Sequence, residues 1–254
     1  MDLEKKAVEL KSNNTPYCMV TVVRVEGSAP RHAGAKMIVT SRESLGTIGG
    51  GALEHTAIED ARLTLRHREA ICKKYDLTEG EIQPCGGSVE LFFQPEHPPK
   101  PVYVFGAGHI AEKLCPMLAE LGFDITLIDE RSERIDLPTF SDIEKRINEL
   151  PKDFLPTIKF DEDTHIICLT HKHLHDEEII EFCLDKPLRY LGLISSRKKW
   201  ALFSEHYREK GFTDEQLARV STPIGLDIGA ESPFEIAVAI VGELIGLHST
   251  KGAK

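Results

Sequence analysis

The stretch VYVFGAGHIA, residues 102–111, decides the fold of the second half of this chain. Its first part is β-branched and aromatic, which predicts a strand over Pro101–Phe105. From Ile110 to Leu121 the apolar residues recur at helical spacing, and Gly122 then ends the pattern. The stretch therefore predicts a strand, a tight glycine turn and a helix in immediate succession.

The glycine turn fits the pattern G-x-G-x-x-A, with Gly106 and Gly108 as its glycines and His109 beside them. In this setting glycines let backbone N–H groups approach a phosphate at the start of the helix. Asp129 ends the next predicted strand, where an acidic side chain can accept a hydrogen bond from a ribose hydroxyl. We therefore predict a Rossmann-type crevice, which NAD(P) or another phosphorylated ligand could occupy.

Alternating strands and helices continue beyond this turn. Further strands are predicted over Asp124–Ile128, Thr164–Leu169 and Arg189–Ile194. The segment Ser232–Glu235 then supplies an N-cap, a first-turn proline and a capping-box glutamate for a last helix. This alternation predicts a doubly wound parallel sheet covered by helices on both faces.

The first half has a different pattern, that of a small α+β unit. Strands are predicted over Tyr17–Val25, Ala35–Thr40, Ile71–Leu77 and Ser88–Phe93, with a helix over Ala52–His67. Between the halves, QPEHPPKP (residues 94–101) contains four prolines, which predicts a stiff linker. We expect an N-terminal domain over residues 1–97 and a C-terminal Rossmann-type domain over residues 98–254.

Composition narrows the function classes. The formal net charge of -10 over 254 residues disfavours nucleic acid and anionic membrane surfaces as partners. No apolar run approaches the length of a membrane span, and the N-terminus lacks a signal-peptide core. The six cysteines form no C-x-x-C pair and are too sparse for a disulfide scaffold. We expect a soluble, cytoplasmic protein.

Two segments of the first half are candidates for anion binding. Ser28 and Arg31 follow the first predicted strand and Lys36 opens the next, although a hairpin with solvated charges would give the same pattern. The triple glycine, Gly49-Gly50-Gly51, precedes a helix and predicts exposed N–H groups at its start. Glu54 lies in the first helical turn and could serve only the helix dipole.

Cys85 is the one cysteine predicted to lie in a turn. The neighbouring Gly86 and Gly87 would expose its thiol and offer N–H groups that favour thiolate. Cys18 and Cys168, by contrast, lie within apolar strands and are predicted to be inert core residues. Cys85 is therefore the candidate for soft-metal or sulfur chemistry.

Two polar segments follow strands of the predicted parallel sheet, at the edge where α/β proteins bind ligands. His171 opens a histidine-rich loop that could hold a metal or line the crevice, with Asp176 capping the next helix. The second segment combines hydroxyls with cations at a helix start and predicts a phosphate site or a basic surface. It comprises Ser195, Ser196, Arg197 and Lys198.

In their order along the chain these motifs resemble the XdhC/CoxI family, the xanthine dehydrogenase accessory factors. The resemblance runs over nearly the whole chain. The matching segments are residues 27–31, 34–36, 48–54, 85–87, 105–109, 170–171 with Asp176, 193–199, 223–230, and Pro233 with 235–237. Ala52 stands where the family often has cysteine after the triple glycine, which places more weight on Cys85.

The resemblance implies a chaperone rather than an enzyme. Such proteins bind molybdopterin, the molybdenum cofactor, are associated with its sulfuration and pass it to xanthine dehydrogenase or a related molybdenum hydroxylase. A sulfurtransferase partner and a homodimer are further expectations of this kind. Two alternatives stay open on the residues alone: an NAD(P)-dependent oxidoreductase, and a regulator that only senses a pterin or a nucleotide.

Overall fold

The computed structural model describes residues 2–77 and 86–248. The chain divides into two compact units, one ending at Pro98 and the other beginning at Pro99. Each unit has its own buried apolar core.

Over its described residues, the first unit is an antiparallel five-stranded sheet with two helices. Its strand order is β3-β2-β1-β5-β4. Its elements are α1 (Leu3–Ser12), β1 (Tyr17–Glu26), β2 (Lys36–Val39), β3 (Ser44–Gly46), α2 (Gly51–His67), β4 (Ile71–Asp76) and β5 (Ser88–Glu96).

The core of the first unit follows from the side-chain period of two in strands and of 3.6 in helices. Alternate residues of β1, among them Val20 and Val22, are buried in one cluster with the small residues Ala57 and Ala61 of α2. Small side chains on this helix face let α2 lie close to the sheet. The predicted small α+β unit is confirmed.

The predicted proline linker is largely wrong. Strand β5 continues through Pro95, which pairs with Cys18 of β1, and β6 already begins at Lys100. Proline is tolerated at this end of β5 because pairing with β4 stops at Phe93, so one edge of the strand is free there. Within the predicted linker, residues 94–101, only residues 97–99 lie outside strands.

The second unit is a six-stranded sheet in which every pair of neighbours is parallel. Its elements are β6 (Lys100–Phe105), α3 (His109–Glu120), β7 (Phe123–Ile128), α4 (Ser132–Ile135), β8 (Lys145–Ile147), α5 (Pro151–Phe154), β9 (His165–Cys168), α6 (His173–Cys183), β10 (Tyr190–Leu193), α7 (Arg197–Glu209), α8 (Asp214–Leu217), β11 (Val220–Ser221) and α9 (Pro233–His248).

The strand order is β11-β10-β9-β6-β7-β8. Read from β8, it is 3-2-1-4-5-6 in order of appearance within the unit, the arrangement of a Rossmann fold. The order reverses between β6 and β9, so the loops after these strands meet at the carboxyl edge of the sheet. The predicted Rossmann-type fold is confirmed.

The sequence accounts for these elements locally. Strands β9 and β10 are buried at every position, as expected for parallel strands covered on both faces. Helix α9 begins with the predicted capping box: Glu235 N–H donates to the Ser232 hydroxyl, and Ser232 N–H donates to the Glu235 carboxylate. Among the described helices, none combines the length and apolar character needed to cross a bilayer.

Candidate functional site

The glycine turn after β6 lies directly against the loop after β9. A Cβ atom on Gly106 would stand 2.3 Å from the carbonyl oxygen of Leu169, and its φ is +108°. Both the close approach and the left-handed backbone require glycine. Gly108 differs, since no atom lies within 4 Å of its Cβ position. It is the N-cap of α3.

Asp129 fixes this turn instead of facing solvent. Its side chain is buried and accepts the N–H of Ala107 at 2.7 Å, the N–H of Arg131 at 2.9 Å, and two bonds from the Arg131 guanidinium at 2.9 and 2.7 Å. A carboxylate has about four acceptor positions, so these bonds saturate it. Burial alone would raise the pKa of Asp129, but the bonds from Arg131 and Ala107 outweigh it and lower the pKa.

A ribose hydroxyl, the partner that the sequence suggested for Asp129, would have to displace one of those bonds. A second arginine closes the turn further. Arg134 donates through Nε to the Ala107 carbonyl at 2.9 Å and through Nη2 to Glu112 at 2.6 Å. His109 lies 3.2 Å from the same Glu112 carboxylate and is otherwise exposed. The turn is thus held by two arginine–carboxylate pairs.

The histidine-rich loop reaches Glu130, the residue that follows Asp129. Lys172 Nζ donates to the Glu130 carboxylate at 2.9 Å, with His175 Nε2 at 3.3 Å and His171 Nε2 at 3.5 Å from the same oxygen. Burial alone would raise the pKa of Glu130, but Lys172 and the histidines lower it. No group of three ligating side chains with metal-site geometry occurs among residues 2–77 and 86–248.

Asp176 does not cap α6, contrary to expectation, because the helix begins at His173 and Asp176 lies within its first turn. The side chain is 2% exposed and accepts the Thr170 hydroxyl at 2.6 Å. Lys199 Nζ stands 3.8 Å from it and also contacts Nδ1 of His173. Burial raises the pKa of Asp176, although Thr170 and Lys199 oppose this effect. Asp176 thus joins the loop after β9 to α7.

The segment after β10 begins α7 as predicted. Ser196 is the N-cap and its hydroxyl accepts the N–H of Lys199 at 3.2 Å. Arg197 is exposed and donates to Asp227 at 2.8 Å. Ser195 and Arg197 line a cavity of about 650 Å³. Lys198 is exposed beside them.

The rest of this cavity comes from a segment that residue chemistry did not single out. The loop 222–230, after β11, forms most of the wall together with Ile194 of the β10 loop and Ile236 of α9. Its signal was present, since the run 223–230 is one of the motifs of the family resemblance. The loop was missed because it is mostly glycine and apolar residues, with a single charge.

Three predicted segments of the first unit also come together. A Cβ on Gly87 would lie 2.4 Å from the carbonyl oxygen of Ser28, and a Cβ on Gly27 would lie 3.0 Å from the Cα of Gly87. The ring of Pro30 lies against Gly49, where a Cβ would approach to 2.4 Å. The glycines here permit backbone-to-backbone packing of the loops.

The triple glycine is less open than expected, because the N–H groups of Gly49 and Gly50 have internal acceptors. Glu54 accepts the Thr47 hydroxyl at 2.6 Å, Gly50 N–H at 2.9 Å and Ile48 N–H at 3.2 Å, and the Thr47 hydroxyl accepts Gly49 N–H at 3.1 Å. Burial alone would raise the pKa of Glu54, but these bonds lower it. Glu54 therefore organises the glycine turn from inside, beyond a helix-dipole role.

The remaining candidates of the first unit are less constrained. The side chains of Arg31 and Lys36 are exposed, and neither side chain makes a hydrogen bond or ion pair with another described residue. Gly86 is exposed and has a φ of +70°. Cys85 lies outside the described residues. The predicted core cysteines Cys18 and Cys168 are fully buried, and burial raises the pKa of both thiols.

These features define a class: an α/β protein with a Rossmann-type unit whose glycine turn is closed by its own acidic residue. Residues 102–244 match the protein family described as "XdhC Rossmann domain", and residues 10–76 match the one described as "XdhC and CoxI family". The chain belongs to the XdhC/CoxI family, as the resemblance predicted.

The chain is similar to several known proteins. It is 29% identical to the uncharacterized protein YqeB of Escherichia coli, over 96% of this chain and 46% of that protein. It is 31% identical to a probable xanthine dehydrogenase subunit from Bacillus subtilis, over 62% and 46%. The molybdenum cofactor insertion chaperone PaoD of Escherichia coli is 21% identical, over 95% and 86%. The chain thus spans about half the length of the first two relatives.

A solved structure shares the fold. The crystal structure of a xanthine dehydrogenase from Bacillus halodurans matches all of this chain and 98% of its own, with a TM-score of 0.54 and 21% identity. At this identity the match supports the architecture of the two units.

Proposed function

We propose that this chain is an accessory factor that binds molybdopterin, supports its sulfuration and delivers the cofactor to xanthine dehydrogenase or a related molybdenum hydroxylase. The observation that carries the proposal is the 650 Å³ cavity at the carboxyl edge of the Rossmann sheet, which joins an apolar wall to Arg197 at the start of α7. An apolar wall suits a flat ring, and a guanidinium at a helix N-terminus suits a phosphate.

The relatives support the same function. One is named as an insertion chaperone for the molybdenum cofactor and another as a probable xanthine dehydrogenase subunit. The similarity to the insertion chaperone extends over most of both proteins, so it is not confined to the Rossmann half. We infer that the partner is a molybdenum hydroxylase, with a sulfurtransferase as source of sulfur, and that the protein acts as a cytoplasmic homodimer.

We propose a separate role for Cys85 of the first unit. This residue precedes Gly86 and Gly87, and Gly87 packs against the backbone of Ser28. We assign the Cys85 thiolate to the molybdenum or to the transferred sulfur, because a thiolate is the soft ligand that such centres prefer. Arg31 and Lys36 follow Ser28 in the sequence, and both are exposed and available to an anionic ligand.

The Rossmann fold also raises NAD(P) as a ligand, and the saturated Asp129 argues against it. An NAD-binding crevice uses the acidic residue after its second strand for the ribose. Here that carboxylate accepts four hydrogen bonds from Ala107 and Arg131. We therefore do not assign a hydride-transfer role to the second unit.

A titration of the full chain with molybdenum cofactor tests the proposal. The measured quantities are molybdenum and pterin bound per chain after anaerobic gel filtration, for the wild type, Cys85→Ala and Cys72→Ala. Cys72 is the matched control because it is an exposed cysteine of the same unit. We expect about one cofactor per chain for the wild type and Cys72→Ala, and weaker binding for Cys85→Ala.

Other results would change the assignment. Equal binding by all three proteins would keep the carrier and remove Cys85 from the site. Absence of cofactor binding together with stoichiometric NADH binding would contradict the proposal. Delivery is measured separately, as recovery of turnover by a cofactor-free molybdenum hydroxylase when the loaded chain is added.

A further inference from the structure

The cavity at the carboxyl edge of the second unit contains one acidic side chain, Asp227, set among apolar residues. Leu226 and Ile228 flank it in sequence and are 49% and 58% exposed, although both line the cavity. Exposed large apolar side chains around a concavity are a mark of a binding surface. A flat ring placed against them would remove this surface from water.

The loop that carries Asp227 is fixed before any ligand arrives. Gly225 N–H donates to the Glu243 carboxylate at 2.7 Å, and Tyr190 donates its hydroxyl to the same oxygen at 2.5 Å. The Leu226 N–H donates to the Ala239 carbonyl at 3.1 Å. A preformed loop loses little conformational entropy on binding.

A buried hydroxyl in the wall also points to a ligand. Thr222 is one of the residues that line the cavity, and its Oγ1 is buried and has no hydrogen-bond partner among the residues that the structure describes. Buried polar groups in proteins are nearly always paired, and an unpaired one calls for a partner from water or ligand.

The present partner of Asp227 indicates which ring edge would suit it. The carboxylate accepts Nη2 of Arg197 at 2.8 Å. A guanidinium presents adjacent N–H and NH₂ donors on a planar group, and carboxylates match this arrangement. The 2-amino-4-oxopyrimidine edge of a pterin contains the same N–C(=N)–N unit, with N3–H and the 2-amino group side by side.

Resting on the proposed function, we propose that Asp227 reads the 2-amino-4-oxopyrimidine edge of the pterin, and that Arg197 occupies this carboxylate until the ligand replaces it. The exchange is cheap because both side chains are about four-fifths exposed (79% and 82%), and exposed pairs contribute little stability. Arg197, once released, is free to pair with the phosphate of the ligand at the start of α7.

The test compares two small probes on the full chain by equilibrium dialysis. Pterin has the 2-amino group, and lumazine has a carbonyl in its place and is otherwise the same ring system. We expect the wild type to bind pterin about tenfold more tightly, the loss expected for one hydrogen bond to a charged acceptor near solvent. In Asp227→Asn this preference disappears, since the amide turns a donor toward the ring edge.

The matched control is Asp214→Asn. Asp214 is 81% exposed and pairs with Arg208 at 2.7 Å, as Asp227 pairs with Arg197, but it lies outside the cavity. This variant should keep the wild-type preference for pterin. The emission of Trp200, the single tryptophan, checks that each variant is folded.

A second variant tests the exchange by the sign of its effect. Arg197→Gln removes the internal competitor, so neopterin should bind about twofold to threefold more tightly, whereas neopterin phosphate should bind several-fold more weakly. Weaker binding of both probes would overturn the exchange.

Equal binding of pterin and lumazine by a chain that still binds molybdenum cofactor would overturn the recognition by Asp227 and leave the proposed function standing. A chain that prefers pterin through Asp227 but takes up no cofactor would support the edge recognition and contradict the carrier function. The two failures are therefore distinguishable.

Discussion

The two glycine turns of this molecule, before α2 in the first unit and before α3 in the second, solve the same problem with different partners. Each turn is fixed by a carboxylate that accepts backbone N–H groups. In the first unit the acceptor, Glu54, lies in the helix that the turn begins. In the second unit the acceptor, Asp129, follows a neighbouring strand of the sheet.

The difference decides which turn can accept an anion. Asp129 is neutralised by the guanidinium of Arg131, and its pair adds no net charge. Glu54 forms no ion pair with any described residue, so it places a negative charge directly at the Gly50 N–H. An anionic ligand would be repelled there. The comparison favours the sheet edge of the second unit as the place where a phosphate binds.

The largest effect is expected from Asp129→Asn. The substitution leaves the Arg131 guanidinium without its charged partner and removes an acceptor at a buried position, which costs about 3 to 5 kcal/mol. We expect the Trp200 fluorescence transition in guanidinium chloride to shift accordingly. Asp124→Asn is the control, because Asp124 and Lys145 form a pair that is 33% and 51% exposed and should cost less than about 1 kcal/mol. Equal effects would contradict the role given to Asp129.

The next effect separates the two glycines of the second turn. Gly106→Ala places a Cβ 2.3 Å from a backbone carbonyl at a φ of +108°, so we expect about 2 to 3 kcal/mol of destabilisation in the same assay. Gly108→Ala meets open space at a φ of -82° and loses only the preference of an N-cap position for glycine over alanine, so we expect a change in the free energy of unfolding of no more than about 1 kcal/mol. Similar losses for both variants would show that the close approach to Leu169 is not the reason for glycine.

Much of the fold could be predicted from local patterns, as these glycines illustrate. The strand, turn and helix around Gly106 are encoded within ten residues, and so are the capping box at Ser232 and the inert buried cysteines Cys18 and Cys168. The extension of β5 through Pro95 could not be predicted, because it depends on pairing with a strand about 70 residues earlier that leaves one edge free.

The sequence predicts which segments form the candidate site better than it predicts what each residue does there. The pattern placed Asp129 correctly at the end of a strand, but Arg131, two residues later, takes the acceptors that a ribose would need. The sequence predicts no more than a helix-dipole role for Glu54, because its bonds to Thr47 and Ile48 depend on how the preceding turn folds back. These contacts join residues two to seven positions apart, but they depend on the conformation of the turn between them, which the spacing of residue types does not determine.

A smaller effect is expected from Glu54→Gln. The amide keeps one acceptor oxygen but loses the charge that strengthens the bonds from Thr47 and Gly50, so we expect about 1 to 2 kcal/mol in the free energy of unfolding of the first unit. Far-UV circular dichroism measures the loss, while Trp200 fluorescence should stay unchanged because it reports on the second unit. Glu59→Gln, an exposed position of the same helix, is the control and should be neutral. A shift of the Trp200 transition by Glu54→Gln would contradict a role confined to the first turn.

The smallest effect is the pH dependence of the stability difference between the wild type and Glu54→Gln. The sign of this dependence follows from the lowered pKa of Glu54. A carboxyl whose pKa is lower in the folded state contributes stability above its unfolded pKa, about 4.3 for glutamate, and loses it as the pH falls through the folded pKa. The gap between wild type and Glu54→Gln should therefore be constant near neutral pH and shrink by up to about 1 kcal/mol in acid, because protonation of Glu54 makes the wild type resemble the variant. Urea unfolding followed by circular dichroism between about pH 7 and pH 3 measures this gap. A gap that widens in acid would mean that burial raises the pKa of Glu54 by more than the hydrogen bonds lower it. The charged carboxylate would then not be the form that stabilises the first glycine turn.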